Sequence, residues 1–180
     1  VLYAFGLDRV AVVVSDLYFL DPVQTPGQEG AEHGVRLEVR LLERGTLRGS
    51  VYSAQPIGIE RPVWRADLLE RVDSEPGSFD RTHHHPRFTG WDPGHRVFEP
   101  ALSADPLGFI AEQLSDLSTL LERGGIDPSD VGPDDPEALR RVLPEILDTT
   151  RRLLDLVHRG ELGRAPSDPL DLVGARVGWL

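Results

Sequence analysis

The hydrophobic period changes partway along this chain, and that change restricts the fold more than any other feature. Val35, Leu37, Val39 and Leu41 alternate with Arg36, Glu38 and Arg40, the pattern of a strand with one apolar and one polar face. Beyond residue 105 the spacing becomes helical, with Leu107, Ile110, Leu114, Leu117 and Leu121 on one side. Strands in one run and helices in the next predict an α+β fold. The expected architecture is an antiparallel sheet of about four or five strands followed by two amphipathic helices.

The remaining elements follow from turn and cap chemistry. Residues 10–19 are β-branched and aromatic, and Asp21-Pro22 stops them before a loop rich in Gly, Pro and Glu. A turn at 43–46 predicts a returning hairpin strand over 47–54. Residues 57–69 form a further strand pair or one bent strand, with Pro56 and Pro62 at edges or bulges. Asp105-Pro106 supplies a cap and first-turn proline for the first helix, and Gly124-Gly125 ends it. A second helix starts near Pro136, with Leu139, Val142, Ile146, Leu153 and Val157 on its apolar side and a kink or break expected at Pro144. Beyond residue 160 the chain reads as loop, with a short apolar end over 177–180.

This reading divides the chain into an α+β domain over 1–124, an acidic Pro/Gly linker over 125–135 and a helical extension over 136–180. The extension's apolar stripe packs on the first helix or forms a homodimer interface, while Arg140, Arg141, Arg151 and Arg152 are most simply a solvated face.

Composition narrows the chemistry. Cys is absent, which excludes disulfides, thiolate ligands and cysteine nucleophiles. No signal-peptide pattern or membrane-length apolar stretch occurs, so the expected location is cytoplasmic. Lys, Asn and Met are also missing, a bias that points to a GC-rich, actinobacterial genome and weakens any argument from arginine over lysine. The net charge of −11 opposes nonspecific binding to a nucleic acid backbone. Residues 34–99 nevertheless hold ten Arg against ten Asp and Glu, leaving room for a locally neutral or positive site.

The candidate site is the run His83-His84-His85-Pro86. Proline biases His85 toward extended backbone, and an extended segment projects His83 and His85 to one side and His84 to the other. An H-x-H pair on one face suits a divalent metal, with Asp67, Asp80, Asp92 or His95 closing the shell. Acid–base use of an imidazole and a plain polar loop remain open beside it. On the preceding strand Arg65 and Asp67 share a face: either a surface ion pair, or a phosphate contact and a carboxylate that orients an imidazole.

The hairpin, the R-x-D strand end, the aromatic residue before a dense His run and the following helix together resemble small bacterial toxins of the TumE family. The likeness spans residues 34–124 and rests on Arg65, Asp67, Phe79, His83, His84, His85 and the helix over 107–121. It implies a toxin paired with an antitoxin-like protein partner and acting on RNA or nucleotides, with His83, His85, Asp67 and Arg65 as catalytic groups. Two departures stand out: a basic residue expected within the His run is missing, and the acidic C-terminal region is foreign to so small a toxin. The competing reading is a non-catalytic interaction or dimerisation module that uses the second helix. No Walker-type loop, G-x-S-x-G, H-E-x-x-H, dinucleotide fingerprint or EF-hand spacing is present.

Overall fold

A computed structural model describes residues 1–21, 26–50 and 52–166. Five strands form one antiparallel meander in sequence order: β1 (Leu2–Gly6), β2 (Val10–Leu20), β3 (Ala31–Arg44), β4 (Ile57–Arg71) and β5 (His83–His85). Helices α1 (Pro100–Ala104), α2 (Pro106–Ser115), α3 (Leu117–Arg123) and α4 (Asp135–His158) follow. The α+β order of strands before helices is as expected.

The alternation on β3 sets the two sheet faces. Val35, Leu37 and Val39 stand opposite Leu68, Ala66 and Trp64 on β4, and Leu37 and Val39 also meet Val14 and Val12 on β2. All are buried, and the apolar stripes of α2, α3 and α4 complete this core. In particular Leu139, Ile146 and Leu153 of α4 are fully buried in it. Most of the stripe that suggested a dimer interface packs inside the chain, with Val142, Leu143 and Leu147 partly buried beside it. The start of α4 is pinned as well: the buried Asp135 carboxylate accepts backbone N–H bonds from Asp8, Arg9 and Gly132 at 2.7, 3.1 and 2.9 Å. One charge thus satisfies three donors and holds the β1–β2 turn against the helix.

Several local expectations are revised. The partner of β3 is Ile57–Arg71, one long strand, whereas none of the described residues of the expected strand over 47–54 is in a strand. Only the longer, more apolar segment can supply Trp64, Ala66 and Leu68 to the core. Pro62 sits opposite Arg40 where the register shifts, a position that tolerates the missing N–H. β1 had no clear signal in its five residues. The first expected helix is broken at Asp116, whose side chain caps α3 by accepting from Thr119 N–H. Helix α4 runs through Pro144 without ending, because that residue lies on the exposed side, where water can bond the carbonyl left by the missing N–H. The expected apolar end over 177–180 lies outside the described residues. Among those described, no helix is long and apolar enough to cross a membrane.

Candidate metal centre

The sheet's second face carries the polar residues of the strand pattern, and the register stacks them into rows. One row runs Ser15, Arg36, Asp67, His83; the next runs Val13, Glu38, Arg65, His85. A polar face of this kind is expected to meet water. Here Asp67 is 1%, Glu38 2%, His83 2% and His85 5% exposed. The segment after β5 folds across them, placing Phe98 5.4 Å from the His83 ring and Phe88 6.3 Å from the His85 ring. A solvated histidine loop is thereby excluded.

Buried charges need partners, and each carboxylate has them. Arg36 Nε donates to Asp67 Oδ1 at 2.6 Å, and Arg36 Nη2 donates to Oδ2 at 3.4 Å. Glu38 accepts from Arg40 Nε and Arg65 Nε, each at 2.8 Å. Three guanidiniums face two carboxylates on this patch, a cationic surplus within an acidic protein. Burial lowers the Arg65 pKa and the charge of Arg36 adds to that, despite Asp67 and Glu38. For Asp67, burial alone would raise the pKa, but Arg36, joined by the two histidines in their protonated form, outweighs it and holds the carboxyl well below its usual range.

The two histidines converge on Asp67. Oδ2 lies 3.4 Å from His83 Nε2 and 3.6 Å from His85 Nε2. The far ring nitrogens are already engaged: His83 Nδ1 is 2.7 Å from the Arg81 carbonyl oxygen, and His85 Nδ1 is 3.1 Å from that of Pro93. A carbonyl only accepts, so each Nδ1 carries a proton. In a neutral ring Nε2 then presents its lone pair to a carboxylate oxygen that also presents lone pairs. Such a cluster calls for a cation at its centre, either protons or a metal.

The donor set fits a metal. Asp67, His83 and His85 each offer a ligand atom, and these atoms all lie within 4.8 Å of one another. Two imidazoles and one carboxylate form a familiar ligand set for divalent transition metals. With metal–ligand bonds of about 2.1 Å, a tetrahedral edge is about 3.4 Å, close to both observed separations. The bonds from Nδ1 to backbone carbonyls are the outer-shell contacts that orient ligating histidines. Asp67, His83 and His85 can therefore hold a metal ion.

Other sequence candidates lie elsewhere. Arg65 faces the same side as Asp67, but its guanidinium is held by Glu38 and lies over the Phe88 ring at 5.1 Å. It reaches neither Asp67 nor an imidazole through a hydrogen bond. Asp80 accepts from Arg71 N–H and Ser74 Oγ, so it organises the turn before β5. Asp92 accepts from Gly94 N–H, and His95 is exposed. Sequence reading missed Arg36 and Glu38 as parts of the site. The signal was present in the Arg36, Glu38, Arg40 alternation, since the partner strand carries Arg65 and Asp67 with the same parity.

His84 faces the core side, as the extended backbone requires. Its Nε2 lies 2.9 Å from Glu99 Oε1, and its ring lies between Trp64 and Phe109 at centroid distances of 6.3 and 5.5 Å. Burial lowers the His84 pKa although Glu99 opposes that shift.

Comparison with known proteins adds no name to this geometry: no family model matches the chain, and no curated protein or solved structure matches it.

Proposed function

We propose that this chain is a metalloprotein that carries one divalent transition metal on Asp67, His83 and His85 and binds an anionic ligand beside it. The observation that carries this reading is the pair of Nδ1 contacts to the carbonyls of Arg81 and Pro93, which aims two Nε2 atoms at one carboxylate oxygen. Three protein ligands leave room in the shell for an outside ligand. Arg36, Arg40 and Arg65 outnumber Asp67 and Glu38, so a metal adds to an existing positive surplus and an anion is the favoured company. A bound metal supplies Lewis acidity, the property that polarises a phosphoryl or carbonyl oxygen.

A toxin-like enzyme acting on RNA or nucleotides is one case of this proposal, since a phosphoryl oxygen is such an anion. In that case Arg65 would meet a phosphate through its Nη groups, because its Nε is bonded to Glu38. Arg36 is the neighbouring cation, and it is committed to Asp67. The docking-helix alternative has less support, because most of the stripe of α4 is buried in the chain's own core.

Elemental analysis of the purified chain, after incubation with zinc, manganese, iron and cobalt salts and gel filtration, tests the proposal. The expected result is close to one equivalent of metal, lost in the His83→Ala/His85→Ala double variant and retained in His95→Ala. A visible cobalt spectrum would report the ligand geometry. Wild-type metal content no higher than that of the double variant would overturn the proposal.

A further inference from the structure

The two edges of the sheet differ. On β5, His84 exchanges a pair of backbone hydrogen bonds with Val97, at 3.0 and 2.9 Å, so the segment that follows closes that edge. β1 is the other edge, and among the described residues no strand pairs with its outer side. Its sequence, Leu-Tyr-Ala-Phe-Gly, holds no charge and no proline. Such residues usually blunt an edge, because a row of free N–H and C=O groups is a template for another strand. Val1, Leu2 and Tyr3 are 62%, 50% and 37% exposed, so apolar surface lies beside that row.

The described chain ends close to this edge. Gly163 N–H donates to Asp16 Oδ2 at 3.0 Å, and Asp16 N–H donates to the Val1 carbonyl oxygen at 3.3 Å. Farther along the sequence, Val173, Ala175, Val177 and Trp179 alternate with Gly174, Arg176 and Gly178. A period of two with β-branched and aromatic residues at the apolar positions is the pattern of a strand with one apolar face. Residues 164–172 span up to about 30 Å when extended, and β1 is about 17 Å long, so the patterned stretch can reach either end of β1.

We propose that the free edge of β1 is the docking site for the chain's own segment 173–179, which adds a sixth strand to the sheet. The apolar positions of that segment continue the core face past Tyr3 and Phe5, which stand opposite Val14 and Val12 of β2. Its Gly and Arg positions continue the face that carries Leu2 and Ala4. A second copy of β1 is the rival occupant. A five-residue edge offers little area toward the roughly 1,000 Å² or more that a stable association buries. A tethered segment needs no such area, because a short linker holds it at an effective concentration on the order of millimolar.

Hydrogen exchange followed by NMR tests this on the full-length chain, on a chain ending at Pro166 and on the double variant Arg176→Pro/Val177→Pro. Neighbouring residues of a strand point their N–H groups to opposite sides, so the two prolines remove one donor facing β1 in either register. The amides of β1 that point away from β2 should exchange at least tenfold more slowly in the full-length chain than in either variant. Amides of β3 and β4 should keep their rates in all three. If the shortened chain loses that β3 and β4 protection, the double variant alone decides. Equal β1 rates in the full-length chain and the double variant would overturn the proposal. So would β1 protection that survives truncation and rises with protein concentration, which is the behaviour of a second copy.

Discussion

Replacing Asp67 with Asn separates the two roles assigned to that carboxylate, ion-pair partner and metal ligand. The amide keeps the shape of the side chain and removes its charge, so the Arg36 guanidinium loses the partner that it holds at 2.6 Å. Breaking a buried pair from one side costs about 3–5 kcal/mol, mostly from the charge left behind. The Arg36 side chain is 18% exposed and Glu38 also acts on its charge, which brings the cost to or just below the lower end of that range, about 2–3 kcal/mol. For a chain of this size each kcal/mol moves the melting temperature by about 2–4 °C, so the metal-free variant should melt roughly 5–10 °C below the metal-free wild type. Metal at about a hundred times its dissociation constant should add about 2.7 kcal/mol to the wild type and almost nothing to the variant.

Calorimetry on metal-stripped and metal-loaded samples of both proteins gives all four values. Adding Arg36→Met to the variant removes the stranded charge and should recover most of the metal-free loss without restoring the metal response. A metal-free loss below about 1 kcal/mol would refute the buried-pair argument. An undiminished metal shift in Asp67→Asn would refute the assignment of Asp67 as ligand.

Two further outcomes follow from the fold and its charges. Gly34 adopts a φ of +153°, and a Cβ there would lie 2.0 Å from the Leu68 carbonyl oxygen, so Gly34→Ala should cost about 3 kcal/mol or more; a urea midpoint close to wild type would contradict that packing. Stability of the metal-free chain should fall in acid for two reasons of the same sign. The lowered pKa of His84 means that the unfolded chain takes up its proton first, so stability is lost as pH falls from about 6.5 toward the lower folded value. The depressed Asp67 pKa contributes stability above about pH 4 that is lost as pH falls further through its folded value. Urea midpoints measured across pH should be flat above about 7 and decline below it, and His84→Gln should remove the upper phase; a midpoint that rises on acidification would contradict both assignments.

How much of this was legible depended on whether a residue's neighbours lie nearby in sequence. The period-two pattern on β3 and the capped helix after Asp105 are local signals, and both appear where the pattern puts them. The division of the three histidines between two faces follows from strand geometry alone and needs no knowledge of the fold. Strand pairing is not local. The turn after Arg44 leads equally well into 47–54 or into a longer loop, and only the need to oppose Val35, Leu37 and Val39 with apolar residues selects Ile57–Arg71. Continuity of α4 through Pro144 likewise depends on which side of the helix faces solvent.

The site depended on the same distinction in a sharper form. An alternation of apolar and charged residues ordinarily means one dry face and one wet face. In this sheet the charged face is also covered, by the segment after β5, and covering it changes what the charges do. A surface Arg65–Asp67 pair would be worth little, and its members would be interchangeable with their neighbours. Once buried, the register decides the pairing: Arg36 stands directly across from Asp67, and Glu38 directly across from Arg65. Arg36 and Arg65 therefore bond the carboxylate on the adjacent strand rather than the one two residues along their own. That cross-pairing holds Asp67 Oδ1 on Arg36 Nε at 2.6 Å and turns Oδ2, which keeps only a longer contact to Arg36 Nη2, toward His83 and His85. The ligand geometry is thus a consequence of strand register, and a shift of β3 by one residue would remove the partner and the candidate metal site together.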